Sequence, residues 1–141
     1  MSFKRIGRGR RMPETEYVIT KDGIVSRGDA TEYIRVISSK EELTDLIERM
    51  PYITTINAPN GKARRDLYDI TMEKYEDVEW VRVIKSVYLR MKDHKYEDFE
   101  PQYMNKAKEF LYGEISKQFE IDPEDVEKFV CSEVKKSLDD F

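Results

Sequence analysis

Asn60-Gly61-Lys62 comes nearest in this sequence to a phosphate loop. Such a loop needs a glycine five positions ahead of Gly61 and a hydroxyl residue after Lys62, and Ile56 and Ala63 stand at those places. The tripeptide therefore reads as a turn entering a helix. His94 is the sole histidine, between Asp93 and Lys95, and Cys131 is the sole cysteine, so neither zinc-ligand spacing nor a His-activated nucleophile can be assembled. The ordinary readings are a solvated loop imidazole and a thiol in helix packing, flanked by Glu127 and Glu133. The acidic runs around Glu97 to Glu100 and Glu124 to Glu127 lack the central glycine of an EF-hand loop and read as solvated charge at helix starts. Tyr88, Tyr103 and Tyr112 fall at or near helical stripes and read as core rather than as a binding platform.

Two basic features are left. Lys62, Arg64 and Arg65 open a helix just after the turn, where backbone N–H groups point outward and arginine adds bidentate reach toward phosphate. Arg82, Lys85 and Arg90, with Lys92, recur on what the spacing predicts to be the outer face of a third helix. Side by side, the two would make a local DNA-contacting patch, for which the candidate residues are Lys62, Arg64, Arg65, Arg82, Lys85 and Arg90. The competing reading is ordinary solvated cations paired with Asp66, Asp69 and Glu79.

Any such contact has to be local, because the 141-residue chain carries a net charge of −4. Residues 1–12 hold Lys4, Arg5, Arg8, Arg10 and Arg11 and no acid, so the remainder is strongly acidic. A generic polyanion binder is excluded by that balance. The length suits one domain or two small ones. A lone cysteine precludes an internal disulfide, no apolar run reaches a membrane span, and the basic start lacks a signal peptide's apolar stretch, so the expectation is a cytoplasmic protein with no membrane partner.

The elements that must carry these residues follow from local pattern. Residues 1–12 read as a basic mobile arm, 13–37 as a short β region and 38–141 as a helical domain. Asp22-Gly23 between Tyr17–Thr20 and Ile24–Ser26 is a hairpin signal, and Tyr33–Ile37 can add a third strand. Ser39 with Glu42, or Ser38 with Glu41, fits a capping box ahead of Leu43, Leu46, Ile47 and Met50, and Pro51 stops the helix. Residues 52–61 read as a connection. A second helix is expected over Lys62–Lys74 with Ala63, Leu67, Ile70 and Tyr68 inward. A third, capped by Asp77, carries Val81, Ile84, Val87, Tyr88 and Met91, and a fourth, over Pro101–Phe119, carries Met104, Ala107, Leu111 and Ile115. The fifth starts at Asp122-Pro123 and buries Val126, Phe129, Val130, Val134 and Leu138. The fold class is α+β, mostly α: two to three N-terminal strands followed by a five-helix bundle.

Four blocks carry a family resemblance: Ser39–Leu43, Asp45–Pro51, Val83–Arg90 and Ala107–Glu114. Their order and spacing resemble the helical C-terminal part of CarD-like bacterial transcription regulators, over residues 33–138. The pairing of Ile84-Lys85-x-Val87-Tyr88-Leu89-Arg90 with Glu109-x-Leu111-Tyr112-Gly113-Glu114 makes the likeness fairly specific. The resemblance implies a Tudor-like β module that binds the RNA polymerase β subunit, here within Tyr17 to Ile37. It also implies a helical domain contacting promoter DNA at the upstream edge of the bubble, a non-enzymatic action, and no cofactor or metal. The family's basic stretch maps onto Lys62, Arg64 and Arg65, whereas Arg82, Lys85 and Arg90 extend the surface by helix geometry.

This sequence departs from the family in two ways. No Trp stands in 51–68, where family members carry one that wedges at the minor groove, and Trp80 instead falls at a packing position. Three strands are too few to close a small barrel. The alternative expectation is a CarD-derived protein-interaction module that has lost DNA binding, with a homo-oligomer or another partner completing the open sheet edge.

Overall fold

The computed structural model describes residues 16–139, with side chains through Lys136. The basic arm expected at 1–12 and the packing of Leu138 lie outside the described positions. The chain is α+β and mostly helical, with a three-stranded antiparallel sheet followed by five α-helices.

β1 (Tyr17–Thr20) and β2 (Gly23–Ser26) form the expected hairpin, with Thr20 opposite Gly23. Gly23 has φ +142°, a conformation only glycine adopts without strain, and Asp22 N–H donates to Thr20 Oγ1 at 3.2 Å. β3 (Arg35–Val36) lies on the other side of β1, giving the order β2-β1-β3. The strand expected over 33–37 shortens to two residues, although Ile34 N–H still donates to Ile19 O and Ile37 N–H to Tyr17 O.

α1 (Lys40–Arg49) starts at a complete capping box, Glu42 N–H donating to Ser39 Oγ and Ser39 N–H to Glu42 Oε1. Its buried positions are Leu43, Leu46 and Ile47, and Pro51 ends it in a 3-10 turn over Met50–Tyr52. α2 (Gly61–Met72) is capped by Asn60, whose Oδ1 accepts from Ala63 N–H at 2.8 Å. It buries Tyr68 and Thr71 and leaves Ile70 exposed, which corrects the inward position expected for that residue. The pair Tyr68 and Thr71, three apart, forms a narrow seam that a broad apolar stripe does not describe.

α3 (Asp77–Lys92) and α4 (Glu100–Phe119) form the central pair. Trp80, Val83 and Val87 are fully buried, Val81 nearly so, and Trp80 stacks on Phe110 with ring planes 8° apart. Tyr88, expected inward, is exposed, because α3 is packed on the faces carrying Trp80, Val83 and Val87 and turns Tyr88 and Leu89 outward. Asp77 does not cap α3 through its side chain; the N-cap position is Glu76 and the Asp77 carboxylate turns to Arg35 and Ser38. α4 buries Ala107, Phe110, Leu111 and Ile115 and ends at Glu120 in the left-handed region. A 3-10 turn over Pro123–Asp125 leads into α5 (Val126–Asp139), where Val126 and Val130 are buried and Cys131 is exposed.

Sheet and helices share one core, since Ile19 and Ile37 belong to the same buried cluster as Leu46, Trp80, Leu111 and Val130. β2 is seated on α4 where the helix lacks a side chain: a Cβ on Gly113 would fall 2.7 Å from Ile24 Cδ1.

Candidate functional site

Two surfaces follow from the sequence, the cations of α2 and α3 and the edge of the sheet. At the start of α2, Lys62 and Arg65 are exposed, while the Arg64 side chain keeps only 11% of its surface. Arg64 Nη2 donates to Ala58 O at 3.1 Å and Nη1 lies 3.5 Å from Glu97. The Arg65 guanidinium sits 4.6 Å from the Phe99 ring centroid, a cation–π contact that orients it without neutralising it. Glu97 reaches the same helix start, since a Cβ on Gly61 would fall 2.6 Å from its Oε1. An anionic side chain there is stabilised by the positive end of α2.

Arg82, Lys85 and Arg90 do not line an outer face. Each is partly buried and bonded inward. Lys85 Nζ donates to Met50 O at 2.8 Å and Ile53 O at 2.6 Å, tying α3 to the turn that follows α1, and its burial lowers its pKa. Arg82 donates to Glu79 Oε1 at 3.0 Å and to Thr54 O at 3.3 Å. Arg90 Nε donates to both oxygens of Glu100, and Nη2 to Lys95 O at 2.7 Å. The structure thus sorts five of the six cations into two groups and leaves Lys62 exposed outside both. Arg64, Arg65 and Arg90 converge on residues 95–100, whereas Arg82 and Lys85 serve residues 50–54. A free basic face is replaced by cations that tie loops to helices, because carbonyls at the helix ends and buried carboxylates need donors.

Behind the first group lies Glu100, fully buried at the start of α4. It accepts from Tyr68 Oη at 2.7 Å, from Glu97 N–H at 2.7 Å and from Arg90. Burial alone would raise the pKa of Glu100, but these three donors hold it below the ordinary carboxylate value. Burial and the Glu100 carboxylate push the Tyr68 hydroxyl far above its ordinary value, so it remains a donor.

The sheet edge is the second surface. β3 has β1 on one side and no strand on the other among the described residues. Tyr33, Ile34 and Val36 each keep about two-fifths of their surface exposed along it. Tyr33 also holds the Arg27 guanidinium 5.5 Å from its ring centroid. Val36 O on β3 already accepts from Arg35 Nη1 at 3.1 Å, so an added strand would find the exposed apolar side chains and the remaining backbone groups of this edge.

Sequence reasoning missed a third constellation altogether, centred on Arg35. Its guanidinium donates to Glu114 Oε1 at 2.9 Å, to Asp77 Oδ1 at 3.1 Å and to Tyr75 O at 2.7 Å, and lies 5.4 Å from the Trp80 ring centroid. The partners come from α3, α4 and the loop before α3, up to 79 residues away, so no local pattern announces them. The one available signal was Trp80 at a packing position on the helix that Asp77 begins.

Tyr103 and Tyr112, expected in the core, are only half-buried and donate to Asp69 and Glu127 respectively. His94 is exposed, with φ +57° just past the end of α3. Among the described residues no group of three or more His, Cys, Asp and Glu could hold a metal ion, and no helix is long and apolar enough to cross a membrane. Compared with known proteins, the chain matches no family model and has no significant match to a curated protein.

Proposed function

We propose that this protein is a non-enzymatic transcription regulator, docking on the RNA polymerase β subunit through the β3 edge and touching promoter DNA near the upstream edge of the bubble with the start of α2. The observation that carries the reading is the open edge. A two-residue strand with exposed Tyr33, Ile34 and Val36 beside it suits strand addition by a partner sheet. The DNA contacts contract from six cations to Lys62 and Arg65, with Arg64 behind them. Arg82, Lys85 and Arg90 act indirectly, by fixing the loops around that surface.

Binding to core RNA polymerase is the test, with Ile34→Asp and Val36→Asp as edge variants. Both positions are exposed, so the substitutions leave the fold in place while placing charge where a strand would add. Wild-type binding that both variants weaken at least about tenfold, roughly 1.4 kcal/mol, supports the docking mode. Absence of wild-type binding overturns it.

The second reading, a protein-interaction module without DNA binding, is favoured by the inward bonding of Arg82, Lys85 and Arg90 and by the burial of Trp80 against Phe110. Retained polymerase binding with no salt-dependent affinity for fork-junction DNA would select it.

A further inference from the structure

Arg35, Asp77 and Glu114 place two carboxylates around one guanidinium at the joint between sheet and helices. Glu114 has no exposed surface and Asp77 keeps 14% of its side chain exposed. The Glu114 oxygens are not equivalent. Oε1 accepts from Arg35 Nη1 at 2.9 Å and from Ser38 N–H at 2.8 Å, whereas Oε2 is buried with no partner. Asp77 accepts from Arg35 Nη2 through Oδ1 and from the Ser38 hydroxyl through Oδ2. Arginine keeps its charge at any pH of interest, so with both acids ionised the cluster holds one uncompensated buried negative charge and one orphaned acceptor. A proton on Glu114 Oε2 removes both defects, since the resulting O–H can donate to Asp77.

We propose that Glu114 carries a proton shared with Asp77 at neutral pH, and that this protonated pair, clamped by Arg35, is a latch holding β3 against the helices until the proton is lost to solvent. The groups facing Glu114 are Arg35 from β3, Ser38 from the β3–α1 connection and Asp77 from α3. Of these only Asp77 places a second carboxylate beside Glu114. Burial first, then the neighbouring Asp77, pushes the Glu114 carboxyl up to about 8, with Arg35 and Ser38 opposing. The raised pKa means that the folded chain keeps a proton the unfolded chain has released, so stability falls as pH climbs from the ordinary 4.5 toward about 8 and levels off above. Because β3 is also an edge strand of the sheet among the described residues, its attachment to the helices becomes a function of pH. This inference rests on the buried cluster and does not require the polymerase-docking reading.

Trp80 reports on the latch, being the sole tryptophan and packed against Arg35. Its emission should change across a titration from about pH 6 to about pH 9.5 with a midpoint near 8. Over the same range the Ile34 and Ile37 amides, which bond to β1, should lose at least about tenfold in protection after correction for intrinsic exchange, a loss of roughly 1.4 kcal/mol in opening free energy. Glu114→Gln keeps an acceptor for Arg35 and Ser38 and a donor for Asp77, so it should abolish both transitions. The same transition in Glu114→Gln, or none in the wild type, overturns the latch. Should Glu114→Gln fail to fold, carbon-detected titration of the wild-type Glu114 carboxyl decides the matter: a midpoint near 8 supports the shared proton and a midpoint near the ordinary 4.5 refutes it.

Discussion

Arg90 Nε lies 2.9 Å from one oxygen and 3.1 Å from the other of Glu100, a carboxylate without exposed surface. The pair joins the last turn of α3 to the first residue of α4, and Tyr68 brings α2 to the same carboxylate. A residue whose spacing suggested a phosphate contact is therefore a strut between helices. Truncating one member of a buried pair strands the other's charge, so Arg90→Ala should cost about 3–5 kcal/mol. Lys62→Ala, at an exposed position, should stay within about 0.5 kcal/mol. Urea unfolding of the two variants checks both expectations.

Tyr68→Phe removes one of the donors to Glu100 without opening a cavity. Hydrogen bonds to charged groups contribute about 1.5–3 kcal/mol, and a loss of that size is expected in the same unfolding assay. An effect below about 0.5 kcal/mol would show that Arg90 and Glu97 N–H satisfy Glu100 by themselves.

The acid limb of the stability profile should carry the signature of Glu100. Its folded pKa is held below 4.5, so its contribution is present above that value and is lost as pH falls through the folded value. Glu100→Gln should be less stable than wild type at neutral pH and show a shallower decline below about pH 4.5, measured as unfolding midpoints against pH. An acid limb of unchanged steepness would assign the decline to other carboxylates.

Lys62→Ala with Arg65→Ala is the clean test of DNA contact. Arg64 is less suited to it, because its bond to Ala58 O makes its removal a structural change. If both residues touch phosphates, the slope of log affinity against log salt should shrink by about 0.9 for each phosphate no longer neutralised, while loss of the Arg65–Phe99 contact lowers stability by no more than about 1 kcal/mol. An unaltered slope would remove these two residues from the interface.

Leu111→Ala measures the core itself. With 1% of its surface exposed on the buried stripe of α4, it should cost about 2–5 kcal/mol. A cost near zero would contradict the burial of the α4 stripe.

Local chemistry made much of the fold legible. Ser39 and Glu42 mark the start of α1, Asp22-Gly23 marks the hairpin, and Asn60 ahead of Gly61 marks the entry to α2, all within a few residues of sequence. Helix faces were harder to read. Tyr88 is outward and Ile70 exposed because α3 is buried on more than one face and α2 on a narrow seam, so a single 3.6-residue stripe misassigns them. The α3 cations were misread for a different reason: a Lys or Arg on a helix has the same sequence signature whether its head meets water or a carbonyl 32 residues away, as Lys85 does at Ile53. Glu100 looked like solvated charge at a helix start, and no local pattern marked Glu114 as buried. Their burial depends on Arg90 and Arg35, and the second of these partners is remote in sequence.

The separation between Arg35 and Glu114 also bears on how the chain is born. The hairpin needs only its own residues, but the cluster that fixes β3 cannot close until α4 has left the ribosome, 79 residues later. At ordinary synthesis rates of about 5–20 residues per second, this leaves the strands waiting on the order of 4–16 s with their inner face uncovered. During that interval the nascent β region carries an uncovered face.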